Sequence, residues 1–447
     1  MLCLVLVAAV AAASARAVNL RHPDSSPRAN PAYPAAATLS RAERLAGLEA
    51  AARARPDDPA SWQNLAQALL ADLARTGDPA VATRTAQVLD RAAELAPEAP
   101  ATLLGQATLA ATLHRFDEAL QLADRLLANN PLDPGALAVS VDALVELGRY
   151  DQAEGRLQRL ADRQPGVAAL TRISYLRELH GDLPGAILAM TQAEVAASGS
   201  LGPSSPQAAT TIAAVVALQG DVLWASGRAD EAAARYGKAL DLDPGLPLAE
   251  VGLARTTAAG GDLGGAIDRL ERLVQRHPVP AATTLLVDLQ ELAGRPDDAA
   301  ASRDLVRVSA TLAQAAGAVT DLELAAYDVD HGVDLDAALR AAEAAYRARP
   351  TVAAAEVAAA ARLRAGRPAE ASQAIVAALR LGGRDAAAHG RAALIADANR
   401  DPAEASRQLA QAFDTNPWFT FSPQKRDQLT ALADRLGVRP PREWATR

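Results

Sequence analysis

One short phrase recurs along this chain at a nearly constant interval, and no other feature restricts the possible folds as much. The phrase is a turn-like run ending in alanine. Clear copies end at Ala119 (Arg115-Phe116-Asp117-Glu118-Ala119), Ala153, Ala186, Ala232, Ala266, Ala299, Ala371 and Ala405, with weaker copies at Ala338 and Ala82. Ala119, Ala153 and Ala186 stand 34 and 33 residues apart, and the same spacing returns through most of the chain. Three intervals are longer: Ala82 to Ala119 is 37, Ala186 to Ala232 is 46 and Ala299 to Ala338 is 39. Twelve residues after the alanine comes a proline (Pro131, Pro165, Pro244, Pro278, Pro350, Pro417). Twelve residues before it the chain is mostly small (Ala107, Ser174, Gly220, Ala254, Ala326, Ala359, Ala393), with Val141 and Val287 the larger exceptions.

These marks describe a pair of helices. Glycines such as Gly148, Gly227, Gly294 and Gly366 end a first helix, because glycine accepts the left-handed conformation at C′. The acidic and proline-bearing phrase opens a second helix, where carboxylates suit the dipole and proline suits the first turn. The closing proline stops it. Small residues at the two marks let the helices approach to about 8 Å. No alternating β-branched segments bounded by hairpin turns occur, so a sheet is not expected. A repeat that buries only one face is stable only when stacked, so the expectation is an all-α superhelical solenoid of antiparallel helix pairs.

A period of 34 residues carrying this alanine, this proline and these small residues resembles the tetratricopeptide repeat family. About ten repeats span residues 40–415, two of them degenerate. Trp62-Gln63-Asn64-Leu65-Ala66 is closest to the family's opening, while elsewhere Leu, Val and Ala replace its bulky aromatics. The resemblance implies a non-catalytic scaffold whose first helices line an inner surface that binds a partner protein or peptide. The register places Thr108, Asp142, Tyr175, Asp221, Arg255, Asp288 and Tyr327 on that surface, with Glu146, Glu178, Trp224, Glu291, Glu323 and Asp330 nearby. Its acidity implies a partner segment carrying Arg or Lys, with Tyr175, Trp224 and Tyr327 as anchors. The alternative is an ordinary solvated helix face. Some members grip a C-terminal carboxylate with Lys, Arg and Asn from these faces; here the matching positions are largely acidic or apolar, so no such clamp is expected.

Composition removes several functions. The net charge is −8, with 22% charged residues, which opposes nucleic-acid binding. The sole cysteine is Cys3, so disulfide frameworks and cysteine-zinc sites are not expected. The six histidines are scattered, and neither a P-loop nor a nucleophile elbow is present. No cofactor and no nucleotide is expected. Gly260-Gly261-Asp262-Leu263-Gly264-Gly265 follows no strand and reads as a helix-pair turn. Asp328-Val329-Asp330-His331-Gly332-Val333-Asp334-Leu335-Asp336 places oxygen donors at alternate positions, but its glycine is offset and no Glu closes a calcium loop. The expected structure there is a polar turn with Asp capping the next helix.

At the N-terminus, Met1–Ala15 is apolar and uncharged, and A-x-A-like sites lie at Ala13-Ser14-Ala15 and Ala15-Arg16-Ala17. Residues 1–17 are read as a signal peptide or short anchor, and 18–39 as a Pro-rich linker. Secretion or an extracytoplasmic location follows; an uncleaved segment would instead hold the chain in a membrane-associated assembly, and an accessory subunit of a separate enzyme is the other alternative. No later segment is expected to span a bilayer. A flexible insertion is expected at 198–206, and 416–447 is read as an aromatic segment (Trp418, Phe419, Phe421) docking a capping C-terminal helix with Leu429, Leu432, Ala433 and Leu436 on one side.

Overall fold

The computed structural model describes residues 40–200 and 206–444; the expected signal, anchor and linker (1–39) lie outside them. Among the described residues there are 22 α-helices, a short 3-10 turn (Arg442–Trp444) and no strands. Helix α1 (Arg41–Ala54) begins at Ser40, whose hydroxyl caps Glu43 N while Glu43 Oε2 accepts from Ser40 N at 2.7 Å, a reciprocal capping box. Ten antiparallel pairs follow. The first five are α2 (Pro59–Thr76) with α3 (Pro79–Leu95), α4 (Pro100–Thr112) with α5 (Phe116–Asn129), α6 (Pro134–Glu146) with α7 (Tyr150–Arg163), α8 (Val167–Leu179) with α9 (Leu183–Ser200), and α10 (Pro206–Ala225) with α11 (Ala229–Leu242). The second five are α12 (Pro247–Ala259) with α13 (Leu263–Arg276), α14 (Pro280–Leu292) with α15 (Pro296–Ala315), α16 (Asp321–His331) with α17 (Leu335–Ala348), α18 (Val352–Arg364) with α19 (Pro368–Ala378), and α20 (Ala386–Ala398) with α21 (Pro402–Thr415). Helix α22 (Pro423–Leu436) closes the stack.

The sequence marks occupy the places their chemistry requires. The marker alanines are buried without exception, as are Ala107, Ser174, Ala254, Ala359 and Ala393 opposite them. A Cβ built on Gly220 would lie 2.6 Å from the Tyr236 ring, so the small residue there is a packing necessity. Gly148, Gly227, Gly294 and Gly366 have φ between 70° and 74° and end their first helices as expected. Gly261, at φ 94°, lies in the turn between α12 and α13.

The longer intervals coincide with longer helices. Typical second helices such as α5 and α7 have 14 residues, whereas α3 has 17, α9 has 18 and α15 has 20. Among the described residues the extra ones lengthen helices, because another helical turn buries apolar surface while a loop only adds closure entropy. Ser198, Gly199 and Ser200 accordingly belong to α9, and Pro206 opens α10, where a flexible insertion was expected; 201–205 lie outside the described residues. Ala208–Ala225 within α10 also corrects the expectation of no further apolar segment. It is long and apolar enough to cross a membrane, at mean hydropathy 1.4 over 18 residues. Yet 72% of it is buried in the protein, as a core helix should be.

The solenoid coils until its edges meet. Contacts form between residues 192 to 233 positions apart, roughly six to seven repeats. Val319 N donates to Leu113 O at 3.0 Å, Val352 N to the Tyr150 hydroxyl at 2.9 Å, and Asn416 Nδ2 to Trp224 O at 2.9 Å. Arg349 lies over Phe116 and Arg380 over Tyr150. The turns of the first superhelical coil thus rest on those of the second.

Candidate functional site

The position after each small residue lies about 100° round the helix from the helix-pair contact. The structure leaves few of the expected surface residues open: most are paired or packed inside the protein. Asp142 is 3% exposed, and its Oδ2 accepts from Arg172 Nη2 at 2.5 Å. Arg172, 2% exposed, also donates to Ala138 O and Ala168 O. This pair is therefore interior structure and not the solvated acid that the sequence implies. Asp221 accepts from the Tyr236 hydroxyl at 2.7 Å and faces Arg255 at 3.9 Å, while Arg255 also lies 5.5 Å over the Trp224 ring. Asp288 meets His331 at 3.1 Å. Thr108 is buried and bonds back to Leu104 O, and Tyr175 is half-buried against the core.

Two expected anchors are packed. Trp224 is 7% exposed, with Trp418 at 6.3 Å and Phe421 at 6.2 Å between ring centroids. Tyr327 is 5% exposed and stacks on His331. The C-terminal aromatics therefore divide their work. Phe419 packs with Phe413 and Trp444 around α22, as the capping role requires, whereas Trp418 and Phe421 fasten that end onto the fifth repeat.

Several further carboxylates are partly buried and feel one another's charge. Among the described residues the Glu146 and Glu178 carboxylates have neither an ion-pair nor a hydrogen-bond partner. Burial pushes the Glu178 carboxyl up to about 7, with the charges of Asp385 and Asp221 adding to it. Burial also raises Glu146, against the pull of His114 and Arg349. Glu356 is raised by burial although Arg391 lies 3.1 Å away. Asp330 goes the other way. Burial opposes ionisation, but Arg391 and Lys425, at 2.9 and 2.6 Å, hold its carboxyl below the usual range. Glu323 is likewise held down by His114, and Glu291 pairs with Arg303.

Sequence reading missed Arg172, Arg391, Lys425, His114 and Glu356. A signal existed for the first: Arg172 follows Asp142 by 30 residues, close to one repeat, so the two fall on adjacent first helices. The Asp328–Asp336 stretch is likewise rearranged. Asp328 and Asp330 lie within α16 instead of a turn, Asp328 is gripped bidentately by Arg307, and their oxygens are occupied by cationic side chains. Asp334 does cap α17, accepting from Ala337 N.

Two family models described as tetratricopeptide repeat match the chain, one over residues 110–173 and 223–289, the other over 72–134. Among solved structures, a thermophilic TPR protein of Thermus thermophilus, TTC0263, is 22% identical, covers 45% of this chain and 100% of its own, and superposes with a TM-score of 0.36. The human IFIT1 dimer with m7Gppp-AAAA is 16% identical over 76% of this chain and 78% of its own, at 0.42. Yeast Tom70 is 12% identical over 91% and 99%, at 0.36. A search of curated proteins finds no match.

Proposed function

This chain carries tetratricopeptide repeats, and on that premise we propose that it is a non-catalytic interaction scaffold whose inner face receives a basic segment of a partner protein. The supporting observation is Glu178: a carboxyl without a partner, pushed up to about 7 by burial and by Asp385 and Asp221. Folding has gathered more negative charge here than the neighbouring arginines neutralise. A Lys or Arg side chain entering beside Glu146 and Glu178 would relieve that repulsion, and phosphate would aggravate it. Asp142 is no part of this surface, since its charge is already satisfied and buried. Export, expected from residues 1–17, belongs to the same reading; N-terminal sequencing of the mature chain tests it, and an intact Met1 in a membrane fraction would favour the anchor.

The test is affinity capture with the full chain followed by mass spectrometry, then titration of the captured partner. Affinity should fall steeply between about 50 and about 500 mM salt. The Glu146→Gln, Glu178→Gln double substitution should weaken it about tenfold, or about 1.4 kcal/mol. Equal affinity for wild type and double variant would remove the inner face as the site.

A further inference from the structure

We propose that Asp288, Glu291 and His331 form a binding site for one divalent first-row transition-metal ion, bridging the seventh and eighth repeats. Asp288 and Glu291 lie three residues apart on α14 and share a face; His331 ends α16, where Gly332 turns the chain at φ 69°. One donor atom from each of the three residues falls within 4.8 Å of the others.

The imidazole orientation carries the inference. His331 Nδ1 stands 3.0 Å from the carbonyl oxygen of Tyr327, one turn earlier on its own helix. A carbonyl only accepts, so Nδ1 holds the hydrogen, and the neutral ring presents the Nε2 lone pair. That lone pair faces Asp288 Oδ1 at 3.1 Å. Two acceptors in this position require a cation, either a second proton or a metal. An Nδ1–H bonded to a backbone carbonyl is the arrangement that orients metal-bound imidazoles. Two ligands each ~2.1 Å from one ion and about 90° apart are ~3 Å from each other, which agrees with the Nε2–Oδ1 separation.

Glu291 supplies the second carboxylate: Arg303 takes its Oε1 at 2.8 Å and leaves Oε2. Independently, the Tyr327 hydroxyl is buried with no hydrogen-bond partner. Its ring stacks on His331 with centroids 4.2 Å apart. A water on the ion would satisfy that hydroxyl. Asp288 and Glu291 are only partly buried, so an ion can reach them from solvent. Two carboxylates match a divalent charge, and the nitrogen donor favours a first-row transition metal over calcium or magnesium.

The test is calorimetric titration of the metal-stripped full chain with Zn²⁺, paralleled by Co²⁺ absorption, with Ca²⁺ as comparison. One equivalent should bind, Ca²⁺ should not compete, and His331→Gln and Asp288→Asn should each weaken binding at least about tenfold, while Asp401→Asn, in the tenth repeat, should not. Circular dichroism reports folding, and Glu291→Gln serves if either variant fails to fold. Absence of stoichiometric binding, or binding unaltered in the folded site variants, overturns the proposal.

Discussion

Among the clear repeats, the residue five before the marker alanine is glycine with positive φ in six cases; His114 and Arg400 are the two departures, at φ 59° and 62°. A side chain there costs about 1–2 kcal/mol. His114 offsets this through contacts with the next coil: Nδ1 lies 3.1 Å from Val319 O and 3.3 Å from Glu323. Burial alone would lower the imidazole pKa, but the hydrogen bond and charge of Glu323, with the charge of Glu146, outweigh it and raise the value above 6.5. A raised folded-state pKa means the stabilisation is complete below about 6.5 and is lost as pH rises through the folded value. His114→Gly should therefore lower the melting temperature at pH 6 and leave it equal or higher at pH 9, as scanning calorimetry would show. A deficit independent of pH would mean that protonation plays no part. Glu178 has the same sign. Its carboxyl is raised from 4.5 to about 7, so ionisation withdraws stability between those values. Glu178→Gln should stabilise the chain at pH 8 by on the order of 1–3 kcal/mol and have little effect at pH 4.5. Glu178→Gln thus separates folding from partner binding, since it should improve one and weaken the other.

Each helix pair is specified by a few small or special residues. Enlarging one, as in Ala153→Leu at the α6–α7 contact, should cost about 1–3 kcal/mol by overpacking. Turn glycines separate two costs. At Gly366, φ 72°, an added Cβ meets nothing within 4 Å, so Gly366→Ala should cost only about 1 kcal/mol of left-handed strain. At Gly148, φ 71°, the same Cβ would approach Pro350 O to 2.7 Å, so Gly148→Ala should destabilise by a further 1 kcal/mol or more, roughly. Urea melts of the two variants test this, and equal losses would show that contact between coils contributes no stability at that edge.

Over the whole molecule, adjacent repeats alone would give an open spring, whereas contacts across roughly six to seven repeats join coil to coil. The aromatic trio Trp224, Trp418 and Phe421, with Asn416 on Trp224 O, secures the far end. Replacing Trp418 and Phe421 by Ala should leave helix content nearly unchanged by circular dichroism but increase the radius of gyration in small-angle scattering. An unchanged radius would place the closure in the remaining contacts.

Helix pairing, turn glycines, the Ser40–Glu43 cap and the α22 cap were all legible from residue order, because each depends on neighbours within one repeat or the next. The candidate site was legible only as a list of acids on one helix face. Which of them stay unpaired depends on Arg172, Arg391, Lys425 and His114, which reach them from adjacent or distant repeats. Coil pitch is the accumulated rotation of the nine interfaces between ten pairs, each set by many side chains at once, so no single position encodes it. Residue order therefore specifies the hairpin and its stacking; the meeting of His114 with Val319, and of Trp224 with Phe421, exists only once those small rotations have summed.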